Sequence, residues 1–366
     1  MDLEFFFDPE EPQCTMLKEV ENETLRLLPT ERMRKGIEEP IEITVKEALN
    51  KRLIATEWQA FFMALSKHFL AKLGVPENKQ RFIEKFDWER AHYSVQGYDQ
   101  QVYLERWGWV EVSGHNYRTD YDLKQHMKFS GADLTAFKKR EKTVVIEDVK
   151  IKPIMSKIGP AFKEKASRVA KLLSTVDPEN MEKAFKKQNF YTIDSFKILP
   201  EHVEITHKKI RKKARRFIPH VVEPSFGSDR LFYIALECAY KTKEDRTLLS
   251  LPRDLAPVDV TVFPLMSRDG LPEKAKQVYR MLVDAGFTVE YDESGSIGRR
   301  YARADEVGTP LGVTVDYQTL KDNTVTIRDR DTWRQVRNSI DELPALFYSY
   351  FGYKTEFEKL GHSVKS

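Results

Sequence analysis

The chain has 366 residues, of which 41% are hydrophobic and 32% charged, a composition typical of a globular protein with room for two cores. No apolar run is long enough to cross a bilayer, and the acidic start MDLEFFFDPEEP lacks signal-peptide features, so we expect a cytoplasmic protein without membrane contact. Two distant cysteines, Cys14 and Cys238, indicate reduced thiols rather than a disulfide framework. The net charge of +3 does not by itself indicate a nucleic-acid partner, although 138–142 (KKREK) and 208–216 (KKIRKKARR) are local basic clusters.

The first third of the chain mixes helical and strand-like patterns. Residues 55–74 have helical periodicity, and we expect the buried face to consist of Phe62, Leu65, Phe69 and Leu73. A second helix is predicted around Asn78–Phe86. The alternating segments YDQQVYLE and RWGWVEVSG then predict two antiparallel strands.

A lysine-rich stretch from about 124 to 210 interrupts this pattern. It contains weak amphipathic helices such as PAFKEKASRVAKLLSTV, and we interpret it as an insertion into the main body. The segment that follows predicts a buried strand at Ile218–Val222, a Pro-Ser-Phe-Gly turn and a helix from Ser228 to Tyr240.

The tail after Pro252 has the clearest pattern. In order, it predicts a strand (APVDVTVFPL), a helix ended by Gly286, a strand (FTVEYDE), a short helix capped by Ser296, a hairpin across Lys321–Asn323 and a closing helix. The order β-α-β-α-β-β-α predicts a small mixed sheet with helices on its faces.

Common catalytic motifs do not occur in the sequence. It has no GxxxxGK[ST] loop, no dinucleotide fingerprint, no HExxH spacing and no GxSxG elbow. What remains is a set of charged residues near strand ends: Glu111, Arg118, Glu223 and Arg230. They are either structural Glu–Arg pairs or a pocket for Mg²⁺, a polyphosphate and an ammonium group, in which arginines bind phosphate oxygens.

Several segments resemble the glycyl-tRNA synthetases. EPSFGSDR resembles motif 3 of that family, RAHYSVQGYDQQV, GWVEVSG and RTDYDL resemble its archaeal and eukaryotic form, and IGRRYARADEVGTPLGVTVDY with TVTIRDRDTWRQV resembles the class IIa anticodon-binding domain. The resemblance implies an α/β (α+β) fold with a partial class II antiparallel sheet, helices and a helical insertion in 1–251, and a mixed-sheet anticodon-binding domain in 252–366. It also implies a glycine–tRNA ligase that uses ATP, Mg²⁺, glycine and tRNA(Gly).

The resemblance assigns roles to individual residues. Arg230 matches the motif 3 arginine that binds the γ-phosphate of ATP, and Glu111 matches the strand carboxylate that holds ATP and Mg²⁺. The glycine-binding positions are Asp2, Arg118, Glu223 and Ser225. The segments that read the anticodon bases C35 and C36 contain Arg299, Arg300, Asp305, Glu306 and Arg328. No covalent catalytic residue is implied.

The resemblance starts at the end of the second strand of motif 2, and nothing in the sequence matches motif 1 or the motif 2 loop. Three hypotheses follow: part of a synthetase that works as a homodimer or with an N-terminal partner chain, an ordinary enzyme whose coding sequence starts upstream, or a non-catalytic accessory subunit that binds tRNA. The third is disfavoured because one sequence keeps Glu111, Arg118, Glu223, Ser225 and Arg230 together.

Overall fold

The computed structural model describes residues 1–364, without the side chains of 140–148 and 210–213. It divides the chain into two compact units, one formed by Met1–Gln125 with Pro219–Ser366 and the other by His126–Ile218. Every helix among the described residues is too short or too polar to span a membrane.

Among the described residues the strands form five sheets: one of seven strands, one of six strands and three of two strands. In chain order they are β1 (Phe5–Phe7), β2 (Thr24–Leu28), β3 (Ile41–Thr44), β4 (Gln80–Glu84), β5 (Gln96–Leu104), β6 (Gly108–Thr119), β7 (Ala136–Pro153), β8 (Tyr191–Ile193), β9 (Phe196–Ile198), β10 (Val203–Phe217), β11 (His220–Phe226), β12 (Tyr240–Lys243), β13 (Arg246–Leu249), β14 (Val260–Pro264), β15 (Val289–Tyr291), β16 (Leu311–Val315), β17 (Thr324–Asp329), β18 (Gln335–Ser339) and β19 (His362–Ser363).

The α-helices lie between these strands. They are α1 (Thr30–Arg34), α2 (Val45–Asn50), α3 (Glu57–Lys72), α4 (Tyr121–Ser130), α5 (Met155–Phe162), α6 (Ala166–Leu173), α7 (Pro178–Gln188), α8 (Ser228–Ala239), α9 (Leu271–Asp284), α10 (Ile297–Val307), α11 (Thr319–Asp322) and α12 (Leu343–Phe351).

The first unit contains a seven-stranded sheet with the order β1-β11-β6-β5-β4-β2-β3. Its pairs are antiparallel except for β2 with β4. Helix α3 starts where Thr56 accepts a hydrogen bond from the Gln59 N–H and packs on β6 and β11. The unit also contains the six-stranded sheet of the tail, so the expected combination of an antiparallel and a mixed sheet with helices is confirmed.

Two local predictions in this region are wrong. The predicted helix at 78–86 is strand β4, whose Gln80 and Phe82 are buried on one side while Arg81 alternates with them, because period 2 and period 3.6 are hard to separate in so short a run. The predicted turn after Val222 is also strand, since β11 continues through Phe226 in register with β6.

The buried face of α3 also differs from the prediction. Leu65 and Phe69 are 41% and 37% exposed, whereas Trp58, Phe61 and Met63 are buried. Apolar residues cover most of the circumference of this helix, so periodicity alone does not decide which stripe faces the sheet.

A bulge in β6 decides which side chains share a face of the sheet. The register shifts between Gln100 and Gln101, so that Gln100 pairs with Ser113 but Gln101 pairs with Glu111. The extra residue reverses the alternation, and Glu111 comes to lie on the same face as Gly114 and Asn116. Simple alternation would place it on the opposite, buried face.

The tail sheet has the order β15-β14-β16-β17-β18-β19 and encloses its own core. The predicted first strand, helices and hairpin are present, with Gly286 at φ +90° just after α9. The closing helix was predicted over 331–351, and its first part is wrong: Gln335–Ser339 is strand β18, paired with β17, and the helix begins only at Leu343.

The second unit combines an antiparallel ribbon with helices. Strands β7 and β10 pair along most of their length, and α5, α6 and α7 surround a small core of Ile158, Val169, Leu173, Met181 and Ile198. Helices were expected here, but the ribbon was not. Both basic clusters of the sequence fall on this ribbon, and part of their side chains lies outside the described residues.

His115 gives a test of this architecture. It is fully buried behind the sheet beside Ser113, and burial lowers its pKa to about 3. Because the unfolded chain binds a proton near pH 6.5 and the folded chain does not, stability should fall as pH drops from 6.5 toward 3. Between pH 7 and pH 5 the loss from this group is about 2 kcal/mol. Urea unfolding at both pH values should show that His115→Gln removes this part of the slope, and that the exposed His92→Gln does not.

Candidate functional site

The sequence-predicted residues of the first domain meet on one face of the seven-stranded sheet. Across the strands, Asp2 bridges to Ser225, Ser225 pairs with Gly114, and Gly114 pairs with Asp99. In the next row Glu223 pairs with Asn116. The opposite face carries buried residues such as Ser113 and His115, so the charged face is the one left open for a ligand.

An ion pair between Arg118 and Glu223 lies at the centre of this face. Arg118 Nη1 is 2.9 Å from Glu223 Oε1, and the two side chains are only 15% and 14% exposed. The guanidinium also contacts Asp122 through two nitrogens, at 2.8 Å from Nε and 2.5 Å from Nη2. The Tyr93 ring lies 4.1 Å from the guanidinium carbon. These contacts fix the arginine in one orientation.

Negative charge exceeds positive charge around Glu223. Burial raises the pKa of the Glu223 carboxyl above its usual value, Arg118 lowers it, and the carboxylates of Glu4 and Asp2 raise it further. Glu4 is also within 3.4 Å of the same arginine. A cationic ligand would therefore relieve repulsion among these acids.

Asp2 and Ser225 form the outer side of the same face. The Ser225 hydroxyl donates a hydrogen bond to Asp2 Oδ1, and the two residues are paired as a β-bridge. A serine that donates to one carboxylate keeps its lone pairs available to accept from another donor. The arrangement suits a ligand that brings several N–H groups.

Glu111 and Arg230 lie together toward the start of α8. Arg230 Nη1 donates to the Glu111 carbonyl oxygen at 2.9 Å and is 3.6 Å from its carboxylate. Both side chains are about half exposed, at 54% and 44%, so the pair is open to a solvent-borne ligand. Among the described residues no cluster of three or more acidic, histidine or cysteine side chains could hold a metal. A single carboxylate fits Mg²⁺ only where phosphate oxygens and water complete the coordination.

Four further residues lie on this face that the sequence did not single out. They are Lys85, Asp99, Gly114 and Asn116. Asp99 is half of an ion pair with Lys85, at 2.9 Å. The sequence signal for Asp99 was an acid within the strongly patterned strand β5. Which face of the sheet Asp99 lies on is known only from the register of the strands.

The five predicted residues of the tail separate into two groups. Arg328 forms a two-nitrogen pair with Asp305 at 2.9 and 3.0 Å, with both side chains almost fully buried. Arg300, 3% exposed, donates to the carbonyl oxygens of Pro264, Glu293 and Gly295. These three residues thus support the fold. Arg299 and Glu306, in contrast, are exposed on α10.

Comparisons with known proteins find a matching family model and similar curated sequences. Residues 259–349 match the family model described as anticodon binding domain. The whole chain is similar to the glycine–tRNA ligase of Aeropyrum pernix, with 45% identity over 368 aligned positions that cover 100% of this chain and 63% of the relative. The ligases of Pyrococcus horikoshii and Methanothermobacter thermautotrophicus are 42% and 41% identical, each over 93% of this chain and 60% of the relative.

The predicted resemblance to glycyl-tRNA synthetases is thereby confirmed. The chain spans about three fifths of the length of these curated relatives.

The central ion pair can be tested by stability. Arg118→Met should leave Glu223 and Asp122 without their cation in a poorly solvated place, at a cost of about 3 kcal/mol in the free energy of unfolding. Arg334→Met is the matched control, because its pair with Glu358 is 68% and 60% exposed and should cost less than about 0.5 kcal/mol. Urea unfolding of both variants measures the difference. Equal losses would show that the pair is not a structural centre of this face.

Proposed function

We propose that this chain carries the amino-acid pocket and the anticodon-binding domain of a glycine–tRNA ligase. The reaction would be ATP-dependent activation of glycine to glycyl-adenylate and transfer of the glycyl group to tRNA(Gly). The observation that carries the proposal is the acid-rich face built around Arg118–Glu223 and Asp2–Ser225. The similarity of the whole chain to a glycine–tRNA ligase supports glycine as the substrate.

The chemistry of this face fits glycine in particular. Glycine has no side chain to bind, so a selective site must hold its ammonium group and exclude larger amino acids by lack of space. Glu223, Asp2 and the Ser225 hydroxyl offer acceptors for the three N–H bonds of an ammonium group. Arg118 holds Glu223 in place and lowers the pKa of its carboxyl against the effect of burial.

ATP would bind on the side of Glu111 and Arg230. The half-exposed guanidinium of Arg230, in the first turn of α8, can make bidentate hydrogen bonds to phosphate oxygens. Mg²⁺, bound through the phosphates, would use Glu111 as its protein ligand and neutralise phosphate charge.

The two steps require positioning rather than a covalent enzyme intermediate. A glycine carboxylate oxygen attacks the α-phosphorus of ATP, and pyrophosphate leaves with its electron pair. A terminal ribose hydroxyl of tRNA then attacks the carbonyl carbon of the adenylate, losing its proton, and AMP leaves. The contribution of the described residues is to hold the ammonium group and balance charge.

We assign the catalytic domain to 1–251, with the lysine-rich insertion at about 124–210, and the anticodon-binding domain to 252–366. Within the latter, we infer that Arg299 and Glu306 contact the anticodon bases, while Arg300, Asp305 and Arg328 shape the surface beneath them. Partners would be tRNA(Gly), glycine and ATP, together with a second copy of the chain. A cytoplasmic location follows from this role in protein synthesis.

The catalytic proposal is tested by glycine-dependent ATP–pyrophosphate exchange, measured with the chain alone and with an added polypeptide equivalent to the rest of its relatives. Glu223→Gln should raise the KM for glycine at least tenfold and leave the KM for ATP within about twofold, because one charge-assisted hydrogen bond is lost. Absence of exchange in both conditions, with tRNA binding retained, would instead indicate a non-catalytic accessory subunit.

The tail gives a separate prediction. Arg299→Ala should weaken binding of tRNA(Gly) several-fold without changing thermal stability, because the side chain is exposed. Arg328→Met should instead destabilise the fold by about 3–5 kcal/mol, since it leaves Asp305 buried and unpaired. Filter binding and thermal unfolding separate the two effects. Equal binding of tRNAs with altered anticodons would contradict base readout by this surface.

A further inference from the structure

We propose that Asp99 and Gly114 form the floor of the amino-acid pocket, where Asp99 is a further carboxylate for the ammonium group and Gly114 leaves the space that the ligand fills. The inference rests on the proposed function and adds two specificity-determining residues to it.

The position of the two residues comes from the register of the sheet. Gly114 pairs with Asp99 on one side and with Ser225 on the other, and Ser225 bridges to Asp2. Successive strands are about 4.8 Å apart, so the Asp99 and Ser225 positions flank Gly114 at roughly 10 Å from each other. A small zwitterion above Gly114 would lie between these two polar residues.

Nothing in the folded chain requires a glycine at position 114. Its backbone is not left-handed, and a Cβ atom built there would lie 3.8 Å from Asp99 Oδ1 and 3.9 Å from Asn116 Nδ2, which are ordinary contact distances. By comparison, a Cβ atom at Gly97 would lie 2.7 Å from Asn116 Oδ1, so that the Asn116 amide would have to move. A methyl group would therefore fit above Gly114 without displacing Asp99 or Asn116, so packing within the chain does not account for the glycine.

Asp99 is an acid whose environment favours an additional cation. Its side chain is 14% exposed and is paired with Lys85, whose Nζ is 2.9 Å from Oδ1. Burial raises the pKa of the Asp99 carboxyl, Lys85 lowers it, and the nearby carboxylates of Glu111 and Glu89 raise it. One lysine therefore faces several acids, and an ammonium group would restore the balance.

The same geometry explains why Lys85 does not fill the pocket. Its side chain runs over Gly97, with Cδ 3.7 Å from the position that a Gly97 Cβ would occupy, and reaches Asp99 from the side of β4. Lys85 thus acts as a positioning residue that holds the carboxylate, while Gly114 stays uncovered.

The test uses Asp99→Asn and Gly114→Ala in glycine-dependent ATP–pyrophosphate exchange, under the conditions in which the wild-type chain is active. Inhibition by ethanolamine, which offers an amine without a carboxylate, and by glycolate, which offers a carboxylate without an amine, separates the two ends of the ligand. Asp99→Asn should raise the KM for glycine and the inhibition constant of ethanolamine at least tenfold. The KM for ATP and the inhibition constant of glycolate should change less than twofold.

Gly114→Ala should weaken glycine and both probes together, because a methyl group would occupy the floor. Two controls are matched to these changes. Asp316→Asn removes an acid of similar exposure, 19%, that is paired with Arg337 in the tail sheet. Gly159→Ala adds a methyl group where nothing lies within 4 Å. Both controls should leave every constant unchanged.

The outcomes distinguish this inference from the proposed function. Equal loss of ethanolamine and glycolate inhibition in Asp99→Asn would show a purely structural role, and an unchanged KM for glycine in either variant would also overturn the inference. Both results leave the proposed function standing, since the wild-type chain is active. A wild-type chain that exchanges pyrophosphate without dependence on glycine would refute the proposed function itself.

Discussion

The open face of the seven-stranded sheet depends on one constraint: carboxylates that are largely removed from water need cations beside them. Arg118 meets this requirement for Glu223 and Asp122 together, with Tyr93 stacked against it. Burial raises the pKa of the Glu223 carboxyl, and Arg118 opposes that effect. Because one arginine serves several acids, the face keeps a negative excess, and the proposed ammonium site is based on this excess.

The same sheet shows how a backbone irregularity can create a site. Without the bulge in β6, Glu111 would point to the buried side with Ser113 and His115. With it, Glu111 lies on the same face as Gly114 and Asn116, next to Arg230. A one-residue shift in one strand therefore brings the phosphate side and the ammonium side of the proposed pocket onto one surface.

In the tail, two arginines that the sequence suggested as nucleic-acid contacts make their contacts inside the fold. Arg300 and Arg328 look like nucleic-acid contacts in the sequence, because they stand in segments that resemble an anticodon-binding domain. In the structure, their guanidinium groups are used internally, by backbone carbonyls and by Asp305. Arginine offers five donors in a rigid fork, and this makes it as suitable for fixing loops as for binding phosphate.

The sequence by itself determined the family resemblance, most elements of the tail and the candidate site residues Glu111, Arg118, Glu223, Ser225 and Arg230. These predictions followed from long sequence motifs and from the regular spacing of apolar and polar residues that is typical of strands and helices. Only the tertiary structure decided the buried face of α3, the strand nature of β4, and the position of Asp99 and Gly114 on the open face of the sheet. The physical reason is that strand register and the bulge decide which face of the sheet a side chain occupies. Both are set by pairing between distant segments rather than by local sequence. Burial of a side chain likewise depends on the tertiary structure. Arg299 and Arg300 are neighbours in sequence, yet Arg299 is exposed and Arg300 is buried.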